Sequence, residues 1–468
     1  MKKLFPILFL FSSFVYVSHS NQDSVNFINK YQPIADKIIS FAMKDSIAWD
    51  RLAYLTDVFG PRLSGSESLE KALDWMLLQM KNDNFSNVRE EKVMVPHWVR
   101  GTEKAELLEP RNANIPILLL GGSIGTTNKG ISAEVIVIND KSELDSLGSE
   151  KINGKIVLFN QPFINYGQSV QYRFYGAQWA AKYGAVASLI RSVSPNTSRN
   201  LHTGMMAYSD TIPKIPHAAI TPEDAMLLER LQSYGKKIIV HLNLEAETKE
   251  DFESRNIMAD IAGYMYPDEI IAMGGHTDSW DVGTGAQDDA SGCISTWMAA
   301  KLINDLNLKP KRSIRLVQWV NEENGVKGGN EYKDKHINEK HVLMFEHDSG
   351  VFPPSAIRLN GSDSALVLLK YAEPLFKKIS PEMIITNGGG GVDIGPMTRA
   401  AAPGMSLSTN DDGKYFYYHH SNSDTADKVN PLHLNQCIAA IALAIYIYAD
   451  LEINLPSNKN YDDTNRTH

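Results

Sequence analysis

Leu69, Ala72, Leu73, Met76, Leu77 and Met80 recur at three- and four-residue steps, directly after Ser66 and Ser68. That spacing puts them on one face of an α-helix with a serine as its N-cap. By the same test most of 24–84 is helical, interrupted at Phe59-Gly60-Pro61-Arg62-Leu63-Ser64-Gly65-Ser66, a stretch dense in turn residues. Residues 88–99 read as strand and end at Pro96-His97-Trp98. From 101 to 249 the pattern changes to short strands over 115–120, 133–138, 155–159 and 237–242 around helices over 171–182 and 223–234. This stretch is expected to form an inserted, β-rich second domain.

After Asn256, strand and helix patterns alternate: strands over 270–273, 313–319, 341–345, 383–386 and 405–408, helices over 293–306, 329–335, 364–379 and 432–450. Such a rhythm predicts an α/β fold with a mostly parallel mixed sheet covered by helices on both faces. The catalytic domain is then discontinuous, 21–100 plus 250–456, and the Asn- and Asp-rich tail 457–468 is expected to be disordered.

Composition narrows the setting. With 468 residues, 43% hydrophobic and 22% charged, the chain is long enough for two or three packed units. Lys2-Lys3, the apolar run 4–17 and the small residues Ser18 and Ser20 have the order of a signal peptide, 1–20, cleaved near Ser20. A secreted or periplasmic location follows. The net charge of −9, which falls to −11 once Lys2 and Lys3 leave, argues against nucleic-acid binding. Neither the leader's apolar run nor 437–449 reaches the roughly 20 residues that span a bilayer, so no stable membrane insertion is expected. Cys293 and Cys437, the two cysteines, are expected to be buried free thiols, leaving any metal to His, Asp and Glu.

The chemistry gathers at expected strand ends. His276 and Asp278 follow the strand over 270–273, with Asp288 one loop further on; Glu322-Glu323 follow 313–319 and Asp348 follows 341–345. His419-His420 precede the last helix. Each motif alone is commonly a solvated turn or a packing feature. Together, at the edge where α/β sheets bind ligands, they offer what two zinc ions need: imidazole and carboxylate ligands, a carboxylate able to bridge, and one acid left free to move a proton. Asp278 could accept the other ring proton of His276 and fix its tautomer.

The order Gly-Gly-His276-Thr-Asp278-Ser, Asp288-Asp289, Trp319-Val-Asn-Glu322-Glu323-Asn-Gly, Glu-His-Asp348-Ser-Gly and His420-Ser-Asn-Ser-Asp424-Thr425 resembles the co-catalytic two-zinc aminopeptidase and carboxypeptidase family of metallopeptidases. The likeness covers nearly all of the chain after the leader. It implies two Zn2+ per chain, one held by His276 and Asp348, the other by Glu323 and His420, with Asp288 bridging. It further implies Glu322 as general base and acid acting on a metal-bridged hydroxide, Asp278 supporting catalysis from behind the ligands, and a cis Asp288–Asp289 peptide. Residues 101–249 resemble a protease-associated domain, which in relatives covers the site and helps form a homodimer. Asp393 and Tyr415 are candidate substrate contacts, and Tyr415, Tyr417 and Tyr418 include a candidate oxyanion donor. The activity implied is a secreted zinc exopeptidase, hydrolysing dipeptides or short peptides with free termini. Its competitors are an aminopeptidase of the same family, a glutaminyl cyclase-like acyltransferase and a noncatalytic receptor-like binding protein.

Overall fold

Alternation along the central strands decides the layering. On the strand Tyr266–His276, Ile271 and Met273 join one core cluster and Ala272 another. Leu316 and Val317 divide the same way on Arg312–Trp319, as do Phe345 and Met344 on Lys340–Glu346. Successive strand side chains point to opposite faces, so both faces of this sheet are buried. The helices Ser291–Asp305 and Pro431–Asp450 cover one face, and Lys327–His336 with Gly395–Arg399 the other. The structure, a computed structural model, describes residues 9–195, 198–400 and 402–455, with side chains from residue 22 onward.

Parallel pairing fixes where the strands end. Arg312–Trp319 runs parallel to Tyr266–His276, with Trp319 opposite His276. Lys340–Glu346 lies parallel on the other side, with Glu346 opposite Gly274, and Gly404–Thr409 continues the parallel set. Beyond it Pro354–Asn360 is antiparallel and Ile384–Asn387 closes that edge. Three consecutive strands therefore release their C-terminal residues side by side.

On the opposite side the sheet turns antiparallel at Ile239–Ile261, which also pairs along its length with Ser86–Glu109. These long strands run without a break through 100–101 and 249–250, the expected segment boundaries. The sheet continues through Ile131–Ile138, Ile156–Phe159, Ala187–Arg191, His217–Ile220 and Ile117–Leu119. Two further clusters of buried side chains form around these strands, and Trp280, from the stretch after His276, packs into one of them.

Several sequence expectations are corrected. The helix over 364–379 is two helices, Asp363–Tyr371 and Glu373–Phe376; Pro374 has no N–H to continue the first. Strands Pro354–Asn360, Ala187–Arg191 and His217–Ile220 and the helix Lys141–Ile152 went unread. Ala187–Arg191 and His217–Ile220 are short and buried on both faces, which leaves little alternation to detect, and the helix buries only Leu144 and Ile152, too few to mark an apolar face. The last helix spans 20 residues, Pro431–Asp450, long and apolar enough to cross a membrane; 78% of its most apolar window is buried inside the protein. It is a core helix. The N-cap expectation holds: Ser66 Oγ accepts from the Leu69 N–H at 3.2 Å, opening the helix Glu67–Asn82. Both cysteines are buried and unpaired. Of the expected leader, residues 1–8 lie outside the described residues, and the helix Phe9–Ala42 runs through Ser20. The expected disordered tail, 457–468, also lies outside them.

Candidate metal centre

His276 closes its strand, Glu322 and Glu323 follow the neighbouring strand after two residues, and Asp348 follows the third. Asp288 arrives from the turn Ala286–Ala290, and His420 from the loop before the last helix. The peptide between Asp288 and Asp289 is cis.

Asp288 lies between the two histidines. Its Oδ1 is 3.4 Å from His276 Nε2, and its Oδ2 is 3.2 Å from His420 Nε2. Asp348 Oδ1 lies 3.7 Å from His276 Nε2, and Glu323 Oε2 lies 2.9 Å from His420 Nε2. His419 stacks on His420 with ring centroids 3.5 Å apart, and its Nε2 stays 3.7 Å from Asp288. His420 alone of the pair meets both Asp288 and Glu323.

Buried polar atoms are almost always hydrogen-bonded. Here His276 Nε2, Asp288 Oδ2, Glu323 Oε1 and Asp348 Oδ1 are buried without a hydrogen-bond partner. Cations bound among them would satisfy these atoms, and imidazole nitrogen with carboxylate oxygen is a zinc donor set; His276, Asp288 and Asp348 already bring ligand atoms within 4.8 Å of one another. The residues fit the metal that the sequence implied.

Within the cluster the imidazoles and carboxylates shift one another. Burial works against the charge of Asp288, but His276 and His420 outweigh it and hold the carboxyl well below its usual range. Burial opposes charge on His276 too, yet Asp288 and Asp348 keep the imidazole well above its ordinary value; Glu323 and Asp288 do so for His420. Glu323 is pushed up to about 7 by burial, against the pull of His420. Glu322 rises well above the carboxylate range through burial, opposed by His276 and reinforced by Asp348 and Glu323.

The supporting contacts were only partly legible. Contrary to the expectation from sequence, Asp278 does not meet His276 through its carboxylate: the ring Nδ1–H donates to the Asp278 main-chain oxygen at 3.0 Å, while the nearest carboxylate oxygen is 3.8 Å away. The Asp278 side chain instead accepts from the N–H groups of Glu322 and Glu323, at 3.1 and 3.3 Å. It docks one strand end onto another. Asp289 accepts from the His276 N–H, and Asp424 from the N–H groups of Gln287 and Asp288, tying down the turn.

Arg62, inside the turn-rich stretch, went unassigned. Its buried guanidinium donates to the carbonyls of Gly60, Thr277, Thr284 and Gly285, clamping the loop between His276 and Asp288. Thr203, from the 101–249 segment, grips His420 twice: its N–H donates to the His420 carbonyl at 2.9 Å, and its own carbonyl accepts from His420 Nδ1 at 3.3 Å. This grip holds His420 at φ +60°, a region that side-chain-bearing residues rarely adopt, with Nε2 turned to the carboxylates. Nothing in the local sequence around Thr203 signals that contact.

Above these groups opens a cleft of about 260 Å³ lined by Tyr166, Arg173, Asp288, Glu322, Glu323, Asp348, Val392, Tyr415, Phe416, His419 and His420. Tyr415 is in place to face a substrate. Asp393 is not: it is 2% exposed, and its neighbour Val392 takes the lining position. Glu346 accepts the N–H groups of Val392 and Ile394, anchoring this turn from below. His347 is buried 2.7 Å from Ser295 Oγ and packs within the core.

A sequence model of peptidase family M28 matches residues 256–445. Carboxypeptidase Q of Mus musculus is 44% identical over 434 residues, covering 92% of each chain, and carboxypeptidase Q of Homo sapiens 44% identical over 428, covering 90% of each. The crystal structure of a peptidase M28 precursor from Shewanella amazonensis superposes with a TM-score of 0.87 at 35% identity, covering 92% of this chain and 98% of that one. A zinc aminopeptidase from Bacillus subtilis shares the fold at 19% identity and a TM-score of 0.64, covering 87% and 98%. With relatives of such identity over nine-tenths of its length, the chain belongs to peptidase family M28 and is a metallo-exopeptidase, a hydrolase of peptide bonds.

Proposed function

We propose that the protein is a zinc-dependent exopeptidase acting on dipeptides or short peptides with free termini, as the carboxypeptidase Q relatives suggest. The observation that carries this reading is that His276 Nε2, Asp288 Oδ2, Glu323 Oε1 and Asp348 Oδ1 are buried without a hydrogen-bond partner, on side chains gathered at one end of the sheet. His276 and Asp348 would hold one zinc ion, Glu323 and His420 a second, and Asp288 would bridge. Bound zinc lowers the pKa of water and polarises a carbonyl.

The chain's own groups do the remaining work. Glu322 is half-buried at the cleft floor, with its main chain docked on Asp278. It takes a proton from the attacking water and returns it to the leaving amine. A carboxylate at the cleft floor that makes no hydrogen bond or ion pair of its own among the described residues suits a group that must both accept and release that proton. Tyr415 keeps its proton, because burial and the charges of Asp288 and Asp348 push its hydroxyl well up; it is the candidate donor to the developing oxyanion. Residues 101–249 act as a protease-associated segment, supplying Thr203 to His420 and a wall to the cleft. Homodimer formation through this segment, and export after cleavage near Ser20, complete the proposal.

The test is hydrolysis of one dipeptide in free, N-blocked and C-blocked forms, with metal content measured on the same sample. Cleavage restricted to forms with a required free terminus, at two zinc ions per chain, is expected. Equal cleavage of all three forms would remove the exopeptidase reading; full activity at one zinc per chain would remove the two-zinc assignment.

A further inference from the structure

Two stretches that stand out in the sequence supply no residue to the cleft. Leu63-Ser64-Gly65-Ser66 and His97-Trp98 meet across a separate cavity of about 790 Å³, against about 260 Å³ for the cleft. Pockets for small ligands run from about 300 to 1,000 Å³. Gly65, at φ +83°, lets the two stretches close up, since a Cβ there would lie 2.8 Å from the His97 ring. The His97 and Phe252 rings stand 6.0 Å apart at 79°, and Leu63, Trp98 and Val99 extend these apolar walls. Among the described residues none lines both the cavity and the cleft.

The charge around the cavity is one-sided. Glu67, Glu70 and Asp281 line it, with Arg100 as the one lining cation. In their ion pairs three cations are shared among six carboxylates: Lys71 meets Glu67, Arg255 meets Glu70, Asp74 and Glu90, and Arg100 meets Glu103 and Asp281. Glu67 and Glu70 lie in the first turn of the helix Glu67–Asn82, but its dipole supplies only about half a positive charge. Walls of this kind accept a positive charge on an apolar body.

The cavity also touches the supports of the metal centre. Ser64 Oγ accepts from Asn321 Nδ2 at 3.0 Å and lies 3.4 Å from Asp278 Oδ2, on the carboxylate that docks the main chain of Glu322 and Glu323. Arg100 donates to Asp281 through Nε and Nη2 at 2.7 and 2.8 Å, and the same Nη2 lies 3.3 Å from Thr203 Oγ1. Thr203 in turn holds His420.

We propose that this cavity is a second ligand site, for an organic cation with an aromatic or aliphatic body, and that its occupant slows turnover by drawing Asp281 away from Arg100. Asp281, with 22% of its side chain exposed, is the acid over which ligand and guanidinium compete. Once Asp281 turns to the ligand, Arg100 loses the bidentate contact that fixes it beside Thr203, and the grip on His420 slackens. Trp280 offers the same direction of coupling: it shares a core cluster with Leu63 and Trp98, and its ring packs on His420 at 5.7 Å. Because the cleft keeps its own lining, the loss falls on kcat and leaves KM in place. Binding at the cavity stands apart from the proposed function; the effect on turnover rests on His420 and Glu323 as metal ligands.

The probe is benzyltrimethylammonium, whose quaternary nitrogen has no lone pair for a metal, with benzenesulfonate as the control of opposite charge. Calorimetric titration of the zinc-loaded full chain should show one saturable site for the cation and none for the sulfonate. Phe252→Ala should weaken binding about 5-fold, and Glu67→Gln about 2-fold. Both positions lie away from the metal centre, so activity without probe should stay at the wild-type level. Saturating probe should lower kcat for a dipeptide several-fold at constant KM, and Phe252→Ala should need about 5-fold more probe for the same loss. Equal binding of cation and sulfonate overturns the charge assignment. Inhibition that raises KM alone and is indifferent to Phe252→Ala places the probe in the cleft and overturns the site. Saturable, Phe252-dependent binding with kcat unmoved overturns the coupling to His420. A wild type that hydrolyses no peptide refutes the exopeptidase reading, and the calorimetric comparison then decides the site by itself.

Discussion

Asp278→Asn tests whether the carboxylate acts on the neighbouring strand or on His276. In the native protein Oδ1 and Oδ2 each take one main-chain N–H, from Glu322 and Glu323, and Ser64 Oγ lies 3.4 Å from Oδ2. An amide can accept at only one of those positions and turns an NH2 toward the other N–H. One hydrogen bond to a charged group is lost, about 1.5–3 kcal/mol, and a buried N–H is left unsatisfied at a similar cost. Against this, burial raises the Asp278 pKa, so removing the charge returns part of the loss. The net destabilisation should be about 2 kcal/mol, read by urea denaturation. Because Glu322 shifts with its own N–H, kcat should fall by about 100-fold. The zinc at His276 should hold, since that ring is oriented by a main-chain carbonyl that the substitution keeps; weakening is expected only at the ion assigned to Glu323, whose N–H docks on the same carboxylate. The reverse pattern, the zinc at His276 lost and the turnover of the remaining loaded enzyme normal, would refute this reading and return Asp278 to the role of an imidazole orienter.

Glu322→Gln should lower kcat by about 100- to 10,000-fold while the melting temperature holds or rises. Its side chain makes no hydrogen bond or ion pair among the described residues, and the change removes a charge crowded by Asp348 and Glu323; an active variant, or one that loses stability in step with activity, contradicts the assignment. Ser66→Ala should cost about 1 kcal/mol of stability through the lost N-cap, with kinetics unaltered. His341 is buried, its Nε2 accepts from Tyr332, and its pKa is pushed down to about 4 by burial and the nearby Arg315 charge. A histidine depressed on folding contributes stability that is present above its unfolded pKa, near 6.5, and is lost as pH falls through about 4. Relative to wild type, His341→Gln should therefore gain about 3 kcal/mol between pH 7 and pH 4 in denaturant titrations; parallel curves would show that His341 does not titrate on unfolding.

How much of this was legible from sequence depends on the range of the interaction. Glu322, Glu323 and Asp348 lie within four residues of a strand end and His276 closes its strand, so local patterning located these at one edge, while Asp288 and the choice of His420 over His419 leaned on the family resemblance. The N-cap at Ser66 was legible for the same reason. Contacts made across the fold were not. Arg62 reads as one residue of a loop and closes on carbonyls more than 200 positions away, and Asp278 was given a local partner because sequence shows only local partners. Asp393 misled because its place in the chain puts it near the cleft, while the Glu346 anchor turns it inward. Two of the unread strands, Ala187–Arg191 and His217–Ile220, are short and buried on both faces, and that removes the alternation on which recognition depends.

The contacts of 101–249 with the metal centre bear on how the two parts of the chain depend on each other. Thr203 fixes the tautomer and backbone of His420, and Gly121 lies so close to Trp280 that a Cβ there would overlap the indole, whose ring in turn packs on His420 at 5.7 Å. None of these contacts supplies an expected metal ligand. Each supplies orientation, the part of a metal site that a ligand set alone leaves undetermined. Removing the segment would leave every proposed ligand in the sequence and still free His420 to rotate away from Glu323 and Asp288. The segment is thus needed for the geometry of the centre as well as for the wall of the cleft. Changes at Gly121 or around Thr203 should act on turnover and metal affinity together.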